Sequence, residues 1–214
     1  MIPGMCDIDE KFLTEKYDNI EIEKQGNILV IKLFKDKERS VGHFVRIAFI
    51  DSKIFYSGDM GTFVFGKDIV HPLTFFKGKE INPEYWWGKC EAAQYPMYNN
   101  CVNVSTVISE LQGVLCKEYG VSNFEDLDEY IKEEYDKYIV EFEDEEDDVF
   151  DNVSDLLNSL GFDDGWSIAR ECVDKGKVIS YSYLYCCNVL QWVENMLEIW
   201  LKERGIEYSE QPSR

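Results

Sequence analysis

The chain has 214 residues and a formal net charge of −20 at pH 7; 45% of its residues are apolar and 14% are aromatic. This length suits one large domain or two small ones, and the apolar content is enough to fill a core. The aromatic content excludes an acidic disordered protein, because disordered chains are poor in aromatic residues. We therefore expect the acid to be displayed on a folded scaffold.

The negative charge is concentrated in the second half of the chain. Residues 1–100 carry 15 acidic residues against 13 basic ones, whereas residues 101–214 carry 27 against nine. Within residues 118–174 there are 21 acidic and three basic residues. Such a surface repels nucleic acid and anionic membranes and attracts basic surfaces, at rates that fall as salt rises. The composition therefore argues against direct binding of nucleic acid or membrane and predicts a basic partner.

The first eleven residues lack the basic start and the apolar stretch of a secretory signal. The longest apolar run, near residues 181–190, is far shorter than the ~20 residues that a membrane helix needs. We therefore expect a soluble cytoplasmic protein. The seven cysteines are odd in number and form no C-x-x-C pair, which favours reduced, mostly buried thiols over disulfides or a zinc site.

β-Branched and aromatic residues predict a sheet within residues 27–65. Two runs, 27–34 and 43–50, are rich in these residue types and are separated by polar turn residues. Short turn-forming segments then lead into two further runs, at 54–56 and 62–65. The simplest account is an N-terminal antiparallel meander of three to four strands.

After the predicted sheet the apolar period changes and indicates helices. Asn82 as N-cap and Pro83 at the first helical position begin a helix that we expect to span residues 82–93. A second helix begins near Ser105, and Gly120 is its expected end.

The third predicted helix carries the acid. Ser122 and Glu125 form a capping box, and apolar residues follow at three- and four-residue steps as far as Phe142. The rest of the circumference carries carboxylates on Glu125, Asp126, Asp128, Glu129, Glu133, Glu134 and Asp136. The next stretch adds Glu141, Glu143, Asp144, Glu145, Glu146, Asp147 and Asp148.

Further helices are predicted at residues 149–160, 165–175 and 183–204. The last is apolar over most of its girth, as expected of a central core helix or of a helix in a dimer interface. These elements predict an α+β fold in which an N-terminal antiparallel sheet packs with a mainly helical, strongly acidic C-terminal half. The chain is either one continuous domain or parts near residue 100 into a β-meander plus helix, 1–100, and an acidic helical region, 101–214.

The carboxylate density of the acidic helix is comparable with that of nucleic acid. Seven carboxylates in twelve residues span roughly 18 Å, or one charge per ~2.6 Å. Duplex DNA presents one charge per ~1.7 Å of axis, or ~3.4 Å per strand. Like charges four residues apart destabilise a helix, and pairs of Glu129 with Lys132 and of Glu133 with Lys137 would offset only part of that cost. The anionic face is therefore expected to have a use.

Two other readings of the acid stay open. The run could be a solvated surface that maintains solubility. It could also bind a divalent metal, since Asp144, Glu146, Asp148 and Asp155 fit an EF-hand-like frame, although the glycine of the sharp turn is missing.

The sequence offers few residues for catalysis, since His43 and His71 are its two histidines. It contains none of the common phosphate-binding, dinucleotide-binding, zinc-protease or nucleophile-elbow motifs. The turn at residues 58–61 could present Asp59 as a catalytic carboxylate, but glycine and aspartate are also what a hairpin turn demands. We expect a protein without enzymatic activity, metal or cofactor.

Residues 56–65, which read YSGDMGTFVF, and residues 82–93, which read NPEYWWGKCEAA, resemble an uncharacterised family of bacteriophage and prophage proteins. In that family a GDMG strand turn precedes a YW…K helix. The likeness covers about residues 54–95, with an echo in the last helix, and brings no catalytic residues. It implies a phage setting, and hence the cytoplasm of a bacterial host. Small acidic proteins that occupy the nucleic-acid groove of defence nucleases recur there, among them anti-CRISPR and antirestriction proteins.

The leading hypothesis is a non-enzymatic phage inhibitor that acts as an anionic nucleic-acid mimic. The fourteen carboxylates from Glu125 to Asp148 named above would occupy a basic groove on a host nuclease such as a Cas effector, in a complex that weakens as salt rises. One alternative is an acidic interaction or assembly protein that forms a homodimer through its last helix. A second is a small enzyme that uses Asp59 with His43 or His71.

Overall fold

A computed structural model describes residues 10–35, 44–66, 73, 76–78, 80–139 and 145–206. The chain divides into two compact units. The sheet unit comprises Met1–Met97 and Ser180–Arg214, and the acidic unit comprises Tyr98–Ile179. The acidic unit is thus an insertion within the sheet unit along the sequence. A division of the chain into domains near residue 100 stays a prediction.

The sheet unit contains a six-stranded antiparallel meander in which each strand pairs with the next along the chain. The strands are β1 (Asn19–Gln25), β2 (Ile28–Phe34), β3 (Phe44–Ile50), β4 (Lys53–Gly58), β5 (Gly61–Gly66) and β6 (Cys90–Ala93). The prediction of three to four strands is therefore wrong in number. It omitted β1, which is mostly polar, and it assigned β6 to a helix.

One face of this sheet is buried because apolar residues alternate along each strand. Ile31, Ile47, Tyr56 and Phe63 lie side by side on four neighbouring strands, and each is inaccessible to solvent. Such a row is what the alternating pattern of residues 27–65 predicts, so the antiparallel part of the α+β fold is confirmed.

The described part of the sheet unit also contains α1 (Glu10–Lys16), α2 (Pro83–Trp87) and, beyond the acidic unit, α7 (Tyr181–Glu203). The α7 ring of Tyr183 lies 5.6 Å from that of Phe63, and the hydroxyls of Tyr17 and Tyr185 are 2.8 Å apart. Twelve of the 23 residues of α7 are buried. Of the two alternatives expected for the last helix, the central core helix is confirmed, and a dimer interface stays a prediction. Its apolar stripe is already covered within the single chain.

Asn82 begins α2 as predicted, with its side-chain oxygen accepting a hydrogen bond from Tyr85 N at 2.9 Å. The helix ends at Trp87, however, so the prediction that it continues to residue 93 is wrong. Residues 92 and 93 pair with Val64 and Phe63 of β5 instead.

The acidic unit begins and ends with a pair of strands, β7 (Tyr98–Val102) and β8 (Lys177–Ile179). Between them lie α3 (Val104–Tyr119), α4 (Glu129–Ile139), α5 (Glu146–Ser159) and α6 (Gly165–Gly176). These helices bury their own apolar core, including Leu111, Ile131, Val153 and Val173. Gly120 ends α3 in a left-handed conformation, as predicted.

The six described cysteines form no disulfide, and three of them, Cys172, Cys186 and Cys187, are buried. Burial raises the pKa of Cys172 to about 11 and the pKa of Cys187 to about 12, so both thiols stay protonated at neutral pH. Within the described part of the chain, no helix is long and apolar enough to cross a membrane.

Two glycines of the acidic unit give opposite stability predictions. A Cβ at Gly176 would lie 2.4 Å from Cγ2 of the fully buried Val107, whereas a Cβ at Gly113 meets nothing within 4 Å. We expect Gly176→Ala to lower the free energy of unfolding by about 1–3 kcal/mol through overpacking. Gly113→Ala should raise it by about 0.5–1 kcal/mol through helix propensity.

Urea unfolding followed by far-ultraviolet circular dichroism checks both changes. Effects of the same sign would contradict the packing described for the end of α6.

Candidate functional site

The ratio of acidic to basic residues is higher in the acidic unit than in the second half of the sequence. The acidic unit carries 22 acidic and six basic residues, whereas the sheet unit carries 20 and 16. Every carboxylate predicted to bind a partner belongs to the acidic unit. The candidate site is therefore the carboxylate surface of one inserted unit.

The predicted acidic helix is interrupted. Phe124–Asp126 forms a single 3-10 turn, and Leu127 then adopts an extended conformation with ψ of 154°. The helix proper, α4, begins at Glu129, where Asp128 accepts a hydrogen bond from Tyr130 N at 3.0 Å. The predicted capping box of Ser122 with Glu125 is therefore wrong, because Asp128 takes the capping role.

Packing against the core fixes this interruption. Leu127 and Ile131 are buried on either side of Asp128, and the Phe124 ring lies 4.6 Å from that of Tyr135. Gln112 of α3 donates a hydrogen bond to the Tyr135 hydroxyl at 3.1 Å. The 3-10 turn and α4 are thus both held on α3, and their carboxylates face outward from two short elements.

Most of the predicted carboxylates in this stretch are exposed: Glu125, Asp126, Asp128, Glu129, Glu133 and Asp136. Glu134 is half-buried and lies 3.8 Å from Lys137. The expected pairing of Lys137 with Glu133 is therefore replaced by a pairing with Glu134. The expected pair of Glu129 with Lys132 is present, at 3.9 Å.

The second acidic stretch is only partly described, since Glu141, Glu143 and Asp144 lie outside the described residues. Glu145 is exposed and immediately precedes α5. Asp147 and Asp148 are exposed in the first turn of α5, where the helix dipole favours negative charge.

Glu146 differs from its neighbours because it is an internal bridge. Its side chain is 22% exposed, and its Oε1 lies 3.0 Å from Nη1 of Arg170 and 3.3 Å from Nζ of Lys177. It therefore joins α5 to α6 and to β8. The carboxylate of Glu146 is thus engaged inside the unit, in contrast to the exposed Asp147 beside it.

Almost all basic residues of the acidic unit form ion pairs with carboxylates of the same unit. Lys132, Lys137, Arg170, Lys175 and Lys177 each lie beside a carboxylate, which leaves Lys117 as the sixth. Hydrogen bonds raise the pKa of Lys175, through Glu110, and the pKa of Lys177, through Asp174 and Glu146.

Fourteen exposed carboxylates of the described acidic unit have no ion pair. They are Glu118, Glu125, Asp126, Asp128, Glu133, Asp136, Glu145, Asp147, Asp148, Asp151, Asp155, Asp163, Asp164 and Glu171. The surface is anionic because acidic residues far outnumber basic ones in this unit, and most of the bases are already paired with other carboxylates.

An aromatic cluster interrupts this surface and is absent from the residues predicted from sequence. Trp166 is 61% exposed, and its ring lies 5.6 Å from that of Phe150. The Arg170 guanidinium lies 4.4 Å from the Phe150 ring centre and 5.8 Å from that of Trp166. The sequence signal was a tryptophan that follows Asp163 and Asp164 and precedes Arg170 by four residues, one helical turn.

The metal reading does not fit the described residues. Residues 146–155 of the EF-hand-like frame are helical rather than looped, and Glu146 is engaged by two cations. Among the residues that the structure describes, no group of three or more His, Cys, Asp or Glu side chains could hold a metal ion.

Asp59 lies in the hairpin turn between β4 and β5 and connects this turn to the first residue of β3. Both of its carboxylate oxygens accept from Phe44 N at 3.2 Å, and its own N–H donates to Phe44 O at 3.2 Å. Gly61 follows with a φ of 106°, which favours glycine. The proposed histidine partners, His43 and His71, lie outside the described residues.

No protein-family model matches the chain, and neither a curated protein nor a solved structure matches it. The resemblance to phage proteins stays a prediction.

The bridging role of Glu146 gives a stability prediction. We expect Glu146→Gln to lower the free energy of unfolding of the acidic unit by about 1–2 kcal/mol, because two partly buried cations lose their shared acceptor charge. The same replacement at the adjacent, exposed Glu145 should change it by less than about 0.5 kcal/mol.

Urea unfolding at low and high salt measures both variants. An equal effect of the two replacements would show that the bridge contributes nothing specific.

Proposed function

We propose that the chain is a phage-encoded, non-enzymatic inhibitor of a host nucleic-acid-binding defence nuclease, of the anti-CRISPR or antirestriction type. The acidic unit acts as an anionic nucleic-acid mimic and occupies a basic groove of that enzyme in the bacterial cytoplasm. The observation that carries the proposal is the set of fourteen exposed carboxylates without ion pairs in a unit whose bases are almost all paired.

Charge complementarity supports a basic protein as the partner. An unpaired anionic surface attracts a basic groove over a distance set by the ionic strength, and it binds best where the groove already accepts phosphates. The internal ion pairs do not compete for these carboxylates. The complex should therefore weaken as salt rises, as nucleic-acid complexes do.

The spacing of charge on α4 supports mimicry despite the interrupted helix. Four carboxylates lie between Glu129 and Asp136. They span roughly 10.5 Å of helix axis, or one charge per ~2.6 Å. This density lies between that of duplex DNA, at ~1.7 Å per charge, and that of one strand, at ~3.4 Å.

The phage setting is supported by the resemblance of residues 54–95, which belong to the sheet unit. The two supports are independent, since the acidic unit lies outside the resembling stretch. In this proposal the sheet unit is the scaffold, and the inserted acidic unit binds the target.

The first test is capture of a target. The chain is immobilised and exposed to nuclease-treated lysate of bacteria that express CRISPR and restriction systems, with stepwise salt washes and with DNA as competitor. A nuclease released by DNA is expected and is then tested for inhibition in a cleavage assay. Capture that resists both DNA and salt would contradict mimicry.

A matched pair of variants then separates the location of charge from its amount. The quadruple variant Glu125→Gln, Glu129→Gln, Glu133→Gln and Asp136→Asn removes four exposed carboxylates of the acidic unit and spares the capping Asp128. Its control is Glu15→Gln, Glu80→Gln, Glu84→Gln and Glu203→Gln, which removes four from the sheet unit.

We expect the first variant to inhibit the captured nuclease at least tenfold more weakly and the control to inhibit as the native chain does. Both proteins should keep the native circular dichroism spectrum. Equal inhibition by the two variants would mean that only net charge matters and would overturn the proposed surface.

A further inference from the structure

Trp166 is the most exposed large hydrophobic residue among those described, with 61% of its surface accessible. It is the second residue of α6 and follows Asp163 and Asp164. A tryptophan exposes a large apolar area, and residues of this kind are enriched among the anchors of protein interfaces. The remaining tryptophans, Trp86, Trp87, Trp192 and Trp200, all belong to the sheet unit.

The exposed indole packs against two neighbouring side chains. Phe150 contacts it edge to face, with ring centres 5.6 Å apart and planes at 79°. Arg170 lies against both rings and is tied to Glu146 at 3.0 Å. Because these contacts fix the ring before binding, a partner would lose little entropy in ordering it.

The charge that remains around the indole is negative. Arg170 and Lys177 are balanced by Glu146 and Asp174, with which they form ion pairs. Asp147, three residues before Phe150 and so one helical turn away, is exposed and unpaired. Asp163 and Asp164 are likewise exposed and unpaired. An exposed aromatic ring that follows two unpaired carboxylates by two and three residues in the sequence is complementary to a cation that can stack.

We propose that Trp166 and the carboxylates of Asp147, Asp163 and Asp164 bind an arginine side chain of the basic partner protein. This inference rests on the proposed function and names the contact that gives it specificity. Arginine is preferred to lysine because its planar guanidinium stacks on an aromatic face while its N–H groups reach carboxylates. Arg170 makes the same combination of contacts within the chain, on Phe150 and Glu146.

The arrangement also extends the mimicry from phosphates to bases. Proteins that bind single-stranded nucleic acid combine a basic groove with side chains, arginine among them, on which bases stack. In such a groove the carboxylates replace phosphates, and the indole of Trp166 replaces one unstacked base. The partner is thus a protein whose groove stacks arginine on nucleic-acid bases.

The test measures binding of two nine-residue probes, nona-arginine and nona-lysine, to the full chain by titration calorimetry at low salt. The variants are Trp166→Ala and Trp166→Phe, and the control is Ile199→Ala, an apolar residue of the sheet unit that is 48% exposed. Acrylamide quenching of tryptophan fluorescence is recorded with and without each probe.

We expect the native chain to bind nona-arginine about fivefold to tenfold more tightly than nona-lysine, as cation–π stacking predicts. Trp166→Ala should abolish this preference and leave the affinity for nona-lysine unchanged, Trp166→Phe should keep part of it, and Ile199→Ala should keep all of it. Nona-arginine should protect the fluorescence of the native chain from acrylamide, and this protection should be absent from both Trp166 variants.

Each other outcome has a distinct meaning. If Trp166→Ala keeps the native preference for arginine, or if fluorescence is unprotected, the stacking inference is overturned while charge-driven mimicry stands. If neither probe binds the native chain, the acidic unit is not a cation-binding surface, and the proposed function fails together with the inference.

Discussion

Ser180 holds the point at which the chain returns to the sheet unit. Its N–H donates to Met97 O at 2.6 Å, its hydroxyl donates to Pro96 O at 2.8 Å, and the same hydroxyl oxygen accepts from Tyr183 N at 3.4 Å, which begins α7. The helix that fills the buried face of the sheet therefore starts only after an 82-residue insertion. The cost of closing such a loop rises slowly with its length. The strands β7 and β8 pair with each other at the two ends of the insertion. The chain therefore leaves and re-enters the sheet unit at neighbouring points.

The acidic unit folds against the mutual repulsion of its carboxylates. Two of its basic side chains reduce that repulsion by forming ion pairs between different helices. Lys175 joins α6 to Glu110 of α3, and Arg170 joins α6 to Glu146 of α5. These pairs connect elements distant in sequence, where they stabilise the tertiary structure as well as lower the local repulsion. The carboxylates left over lie outside the apolar core that holds the helices together. Stability and surface charge are thus supplied by different residues.

The sequence predicted those parts of the fold that local patterns determine. The alternation of apolar and polar residues identified β2 to β5. Capping residues identified the start of α2 and the end of α3. Each of these signals acts within a few residues. β1 and β6 were missed since Glu21, Glu23 and Ala92 are poor strand residues that are recruited by a neighbouring strand. The break at Leu127 depends on burial against α3. The excess of acidic residues at the site can be counted from the sequence. The ion pairs of Glu146 and the exposure of Trp166 depend on tertiary contacts and cannot.

The composition of β1 has a consequence for association between chains. β1 lies at one edge of the described sheet, and an open edge can pair with the edge of another molecule. Along β1, Glu21 and Glu23 alternate with Ile20 and Ile22, and Lys32 of β2 lies beside both glutamates. Antiparallel pairing of two such edges would bring glutamates of one copy against those of the other, which is unfavourable. The residues that make β1 hard to recognise as a strand therefore disfavour its growth into an intermolecular, aggregating sheet.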